Sequence, residues 1–387
     1  MLNVILVTQG TGGDVYPFIQ IGMELNCRGH RVTMLVNSKY VPAAEQRGLA
    51  CVSIDRLGEY PEWLQANKLK NSNASIEEYL KRQVIWIRNL ILDTYILGQT
   101  VIVGHYGLHL ALQLTVDSLG TQYIPVFTSP YFMPTTGTSE DQYRRSSTQL
   151  NLLRQELGLP RVDDWGRWLR SPNLGIGLWP EWYAPPERDW ISGVRLVGFV
   201  LIEESAKETE AIDAINFLKA GSPPILITHG TSIPQNPAFF SLAVMACNRL
   251  GQRCLVVTQN FEPIVGCLDE NVHYRSYVPF SSLLPSVRAV IHHGGIGISG
   301  LALDCGIPQL ILAEGADRPD NARRLENLGV AKGLAPKDWT VEAIGLALND
   351  LLTSASIRRN CNFRANYSVQ TNAVLNACFV IESSRPL

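Results

Sequence analysis

The octapeptide His292-His293-Gly294-Gly295-Ile296-Gly297-Ile298-Ser299 sets two imidazoles, three glycines and a hydroxyl behind an apolar run, Val287 to Ile291. A strand that empties into a glycine-rich turn and then a helix, here Ser299 to Cys305, makes an anion site. Unpaired N–H groups and the positive end of the helix dipole point the same way there. Histidine adds a donor that a plain phosphate cradle does not need. A second turn, Gly230-Thr231-Ser232, follows the apolar run Ile225 to Thr228 and brings N–H groups and hydroxyls suited to the same anion. A third, Gly10-Thr11-Gly12-Gly13-Asp14, follows Val4 to Thr8 and ends in a carboxylate. Asp14 suits a general base for an attacking hydroxyl, or a cap for a helix beginning at Val15 to Pro17. Asp317 and Arg318 follow a fourth run, Leu310 to Ala313, and pair a carboxylate with a cationic fork that matches carboxylate or phosphate.

Composition narrows the classes. The chain has 387 residues, 46% apolar and 18% charged, enough for two or three domains with large cores. Its net charge of −2 gives no general attraction to nucleic acid or to an acidic membrane. The eight cysteines are scattered, with no CxxC pair, so they read as reduced core thiols with no zinc framework. A dinucleotide fold is the rival owner of the glycines, but Val15 stands where the last glycine of G-x-G-x-x-G belongs. Met1 to Val7 is too short for a signal peptide, and Val84 to Val103 is interrupted by Arg88, Asp93 and Gln99. The expectation is a cytoplasmic protein without an integral membrane segment.

These residues must be placed by alternating elements. Strands are expected at Val4 to Thr8, Arg31 to Val36, Ala50 to Ile54, Thr100 to Val103 and Gln122 to Phe127, with helices at Pro17 to Arg28, Tyr40 to Arg47 and Leu108 to Leu119. A second alternating half runs from Ile225. Between them, Arg161 to Trp190 holds four prolines and five tryptophans and reads as a hinge, followed by a strand and a linker near Leu201 to Ser205. Such alternation gives an α/β chain of two doubly wound, Rossmann-like halves, with a cleft between them as the default site. Asn362 to Glu382 reads as one helix.

With the opening Thr8 to Pro17 and the His-His-Gly-Gly turn, the chain resembles GT-B fold, family 1 glycosyltransferases, nearest the branch that glycosylates sterols, glycopeptides and macrolide-like products. Ala184 to Trp190 leading to Val197-Gly198-Phe199, Thr228-His229-Gly230-Thr231 and Tyr277-Val278-Pro279-Phe280 carry further likeness. The resemblance implies two Rossmann-like domains facing across a cleft: an acceptor domain at 1–200, a nucleotide-sugar domain at 201–365, and a C-terminal helix at 366–387 returning to the first. It implies inverting transfer from a UDP- or dTDP-sugar to a hydroxyl of a small natural product or lipid, the latter allowing peripheral membrane contact. Asp14 would be the base. His292, Gly294, Gly295, Gly297, Ser299, Gly230 and Thr231 would hold the diphosphate, Val278 the nucleotide base, and Asp317 and Arg318 the sugar. No cofactor or metal is implied beyond the nucleotide sugar itself.

Two positions depart from the family. Ile298 stands where threonine is usual, so one hydroxyl is missing unless Ser299 replaces it, and Arg318 replaces glutamine: either it turns outward to pair with Glu314 or Asp320 beside an ordinary sugar, the reading favoured slightly, or it reads an acidic or otherwise modified one. Gly12, Gly13, His105 and Tyr131 are candidates for the acceptor wall, and His109 for core or wall. The alternatives are a sugar-nucleotide epimerase or hydrolase on the same frame, and a non-catalytic helper of a partner glycosyltransferase.

Overall fold

The computed structural model describes residues 1–55, 73–135, 147–201, 208–230, 236, 238–259, 266, 270–368 and 372–384. Thr231 and Ser232 lie outside them, as do most of the proposed linker near Leu201 to Ser205 and much of the stretches 60–89 and 134–154.

The strands are β1 (Asn3–Val7), β2 (Arg31–Val36), β3 (Ala50–Ser53), β4 (Thr100–His105), β5 (Gln122–Phe127), β6 (Gly175–Gly177), β7 (Val194–Leu196), β8 (Ile225–Thr228), β9 (Cys254–Val257), β10 (Val272–Arg275), β11 (Ala289–His292), β12 (Gln309–Leu312) and β13 (Ala331–Leu334). The helices are α1 (Gly12–Cys27), α2 (Val41–Glu45), α3 (Asn73–Leu92), α4 (His109–Leu119), α5 (Ser147–Glu156), α6 (Trp165–Leu169), α7 (Glu208–Lys219), α8 (Ala238–Arg249), α9 (Phe280–Leu283), α10 (Ile296–Asp304), α11 (Arg318–Asn327), α12 (Val341–Thr353), α13 (Ala355–Ser368) and α14 (Ala373–Ser383).

The chain divides into two compact units, 1–200 with 372–387, and 201–371. Each holds one parallel sheet, ordered β3-β2-β1-β4-β5-β6-β7 in the first and β10-β9-β8-β11-β12-β13 in the second. Helices cover both faces of such a sheet, so its central strands are apolar without alternation. Val4 to Val7 and Ile225 to Ile227 are fully buried for that reason. The order reverses once in each sheet, between β1 and β4 and between β8 and β11. Register sets Val7 opposite Gly104 and Thr228 opposite His292. The turns leaving these four strands therefore share two crevices, one per unit, where ligands of open parallel sheets bind.

Three readings of the chain change here. The proline- and tryptophan-rich segment is not a hinge. It lies within the first unit and adds β6 to its sheet, with the expected strand following it as β7, and its Trp165, Trp179 and Trp190 are buried. Prolines end its elements, while the large rings fill the core beneath them. The expected helix from Asn362 to Glu382 is two helices, and Asn372 caps the second by accepting the Leu375 N–H at 3.1 Å. That second helix, α14, packs on α1. Cys378 Sγ donates to the Ile21 carbonyl, and Glu382 takes a two-pronged pair from Arg28 at 2.8 and 2.7 Å. Finally, Cys27 is exposed rather than a core thiol, while Cys247, Cys254, Cys361 and Cys378 are buried.

Candidate active site

In the first unit the site is built on the β1–α1 turn. The helix starts earlier than Val15: Thr11 is its N-cap, in extended conformation, and Asp14 is its third residue. A carboxylate at that position reaches back to the uncapped start of the helix. Asp14 Oδ2 accepts from the Thr11 N–H at 2.8 Å and from the Thr11 hydroxyl at 3.0 Å. Asp14 thus caps from inside the helix rather than as N-cap. Gly10, at φ +126°, makes the bend, and its N–H donates to Asn37 Oδ1 at 2.9 Å.

β4 delivers the second group. Its last residue, His105, is buried, and its Nδ1 accepts the Gly107 N–H at 3.1 Å. A nitrogen that accepts carries no proton, so the imidazole hydrogen sits on Nε2. Nε2 lies 3.2 Å from Asp14 Oδ1, a close electrostatic contact set off the line of a full hydrogen bond. Burial pushes the Asp14 carboxyl up, but His105 and the Thr11 donors outweigh it and hold it below the ordinary carboxylate value. The carboxylate is ionised at neutral pH and keeps a side-chain exposure of 25%.

The other acceptor-side candidates separate. Gly12 and Gly13 are the first two residues of α1, one buried and one exposed. Tyr131 is exposed and meets Phe132 edge-on, and Phe132 stacks on Tyr106 at 5.5 Å. His109 is a core residue. Its Nε2 donates to the Leu169 carbonyl, its Nδ1 takes the Tyr123 hydroxyl, and burial lowers it to about 4.

In the second unit, β11 ends at His292 and Gly295 caps α10. The glycine turn is tight. A Cβ on Gly294, at φ +94°, would stand 2.9 Å from Ile311 and 3.1 Å from the Arg318 carbonyl. His292, which the resemblance puts on the diphosphate, is fully buried with both ring nitrogens engaged. Nδ1 accepts the Gly294 N–H at 3.1 Å and Nε2 donates to Gln309 Oε1 at 2.9 Å. Burial lowers it to about 4, so it is neutral, and it shapes the turn from beneath. Ser299 is also committed: its hydroxyl donates to the Gly295 carbonyl at 2.9 Å, and the residue is fully buried.

His293 is the imidazole that faces the second glycine turn. A Cβ on Gly230 would meet its Cε1 at 2.6 Å, and one on Gly295 its Nε2 at 2.5 Å. Its ring stacks on His229 at 5.0 Å, and among the described residues Nδ1 of each is buried without a hydrogen-bond partner. Burial, followed by the charge of Arg318, lowers His229 to about 4; burial, His229 and Arg318 take His293 well below its ordinary value. Gly230 and the helix-turn glycine Gly297 are exposed, and Gly230 has φ +70°.

Asp317 caps α11, and Asn321 ties the region together. The fully buried Asn321 amide donates to the Gly294 carbonyl at 3.0 Å and to Asp317 Oδ2 at 2.8 Å. Arg318 Nη1 donates to the Glu314 carbonyl at 2.9 Å, while Asp320 is taken by Arg323 and Arg324. Arg318 thus engages the Glu314 backbone rather than Asp320, and its charge acts on His229 and His293. Val278 is fully buried, its side chain in the core. Among the described residues no group of three His, Cys, Asp or Glu is placed to hold a metal. No described helix is long and apolar enough to cross a membrane.

His229, Gln309 and Asn321 were absent from the sequence-based site. His229 sat beside a glycine already singled out, which was its signal. Gln309 and Asn321 act through folded proximity alone.

Residues 4–104 match the glycosyltransferase family 28 N-terminal domain, and residues 248–371 the C-terminal domain of erythromycin biosynthesis protein CIII-like proteins. The chain is 26% identical to O-mycaminosyltylonolide 6-deoxyallosyltransferase of Streptomyces fradiae, over 98% of this chain and 97% of that one. It is 24% identical to sterol 3-beta-glucosyltransferase of Pichia angusta, over 91% of this chain but only 31% of that longer protein. Among solved structures, the glycosyltransferase of kitacinnamycin superposes with TM-score 0.77 at 16% identity, covering 98% of both chains. VinC in complex with DTDP gives 0.72 at 17%, over 98% of this chain and 100% of that one. Two parallel α/β units, a family 28 first domain and an EryCIII-like second domain place this chain in the GT-B glycosyltransferases, and it is an enzyme of that class.

Proposed function

We propose that this glycosyltransferase moves a sugar, with inversion, from a UDP- or dTDP-sugar to a hydroxyl of a small natural product or lipid. The observation that carries the reading is Asp14: an ionised, partly exposed carboxylate, fixed by Thr11 and His105 at the strand-order reversal of the first sheet. The carboxylate takes the acceptor proton as the hydroxyl oxygen attacks the anomeric carbon. The bond from that carbon to the diphosphate oxygen breaks, and the diphosphate leaves with the electron pair.

The leaving charge needs fixed donors. The α10 N-terminus supplies N–H groups, and the Gly230 turn lies beside it across the β8–β11 register. His293, with Arg318 close by, takes the side-chain role that the resemblance gave to His292. Thr231 belongs to this role but falls outside the described residues. Protein donors then do the work of a metal. The DTDP complex of a similar structure and the macrolide and sterol names of relatives support the donor and acceptor classes.

Thermal shift with UDP, dTDP and their sugars tests the donor, because a ligand that binds only the folded state raises Tm. Asp14→Asn tests the base. It should retain the nucleotide-induced shift and lose on the order of 10³ in kcat. A shift with no nucleotide, or an active Asp14→Asn variant, overturns the reading.

A further inference from the structure

We propose that His105 is a positioning residue for Asp14: locked as the Nε2–H tautomer by the Gly107 N–H, it fixes one carboxylate oxygen so that the remaining lone pairs face the acceptor. This rests on Asp14 being the base.

The geometry decides which member of the pair does what. An imidazole can act as base only through an unprotonated nitrogen open to substrate. His105 has none, since Nδ1 holds Gly107 at 3.1 Å and Nε2 carries the hydrogen turned toward Asp14. Phe18, fully buried, meets the ring edge-on at 6.2 Å and closes one side. The carboxylate is the opposite case. Oδ2 holds the Thr11 N–H and hydroxyl, Oδ1 faces His105, and the group keeps access to solvent. The pair is thus ordered carboxylate first and imidazole behind, the reverse of a triad in which a carboxylate orients an imidazole base.

The surroundings leave few other actors. Among the described residues acting on Asp14, His105 from β4 is the titratable one, and Thr11 from the start of α1 supplies an N–H and a hydroxyl. The nearby Asp55 is turned away, accepting from Asn37 Nδ2 and the Ser38 N–H. With burial opposing ionisation, removing the Nε2–H leaves Thr11 alone to hold the charge. Gly107 shares the task. A Cβ there would lie 3.0 Å from His105 Nδ1 and crowd the ring.

The test is kcat/KM against pH for wild type, His105→Leu, His105→Gln and Asp14→Asn, with UDP- or dTDP-induced thermal shift as the check on folding. His105→Leu should lose about 10- to 100-fold in kcat, keep its donor KM, and move the acid limb of the profile to higher pH. His105→Gln restores an N–H toward Oδ1 and should recover most of the rate and return the limb. A purely structural histidine would lower Tm without moving the limb. The proposal is overturned if His105→Leu keeps the wild-type limb, or if Gln and Leu behave alike. Activity in Asp14→Asn would instead overturn the base assignment.

Discussion

The carboxylate of Asp14 occupies the space where a side chain on Gly10 would have to stand. A Cβ there would sit 2.4 Å from Asp14 Oδ2, at a backbone φ of +126°. Gly10→Ala should therefore displace the carboxylate and cost about 100-fold in kcat, the order expected for an ångström of misplacement. Gly345→Ala in α12 is the control, since nothing lies within 4 Å of a Cβ there. Equal rates for the two variants would refute the assignment.

His292 and His293 should fail in different ways. His292→Ala empties a buried site and orphans Gln309, so it should lower stability by about 2–4 kcal/mol. His293→Ala should cost less stability but weaken nucleotide binding by at least tenfold. Calorimetry with and without UDP or dTDP separates them. The same loss of affinity from both, with no difference in Tm, would contradict the division of roles.

Acid should strike the second unit first. His229 and His292 are held near 4, and burial takes His293 well below its ordinary value of 6.5. A histidine with a depressed folded pKa stabilises fully above the unfolded value, and that stability is lost as pH falls from about 6.5 toward 4. Each costs about 1.4 kcal/mol per pH unit in that window. In the first unit the described residues include one such histidine, His109. Hydrogen exchange between pH 7 and 5 should show residues 208–368 losing protection ahead of the β1–β5 core; the reverse order would count against buried neutral imidazoles.

Asn321→Ala removes a buried and a part-buried hydrogen bond at once and should destabilise by about 2 kcal/mol. It also frees the Gly294 carbonyl and Asp317, so nucleotide-sugar affinity should fall with it. An unchanged donor KM would mean that the glycine turn holds its shape without this brace.

Arg318→Gln restores the amide usual in the family. If the guanidinium reads an acidic donor, the variant should shift preference toward neutral sugars by tenfold or more in kcat/KM. Unchanged preference would confine Arg318 to bracing the Glu314 carbonyl and biasing the two histidines.

The turns that carry chemistry were legible because glycine after an apolar run has a local cause. Asp14, Gly230 and the His-His-Gly-Gly segment all stand where strands end. Partnership was not legible. Asp14 meets His105 only because β1 pairs with β4, and sheet order is a property of the whole fold. Which of His292 and His293 faces the Gly230 turn also needed coordinates, because adjacent residues at a strand end point to opposite sides. The Arg161 to Trp190 segment misled for a related reason. Proline density reports broken elements, not where the tryptophans between them pack.

Helix α14 has a consequence for the order of events at the ribosome. Its partner α1 is made before residues 201–371, but α14 emerges only after them. At about 5–20 residues per second that interval is roughly 10–30 s. Throughout it the first unit carries an open seam along α1, where Ala377, Cys378 and Ile381 later bury themselves. The nascent chain therefore completes its second unit before its first, and α1 is covered only once α14 has followed that unit out.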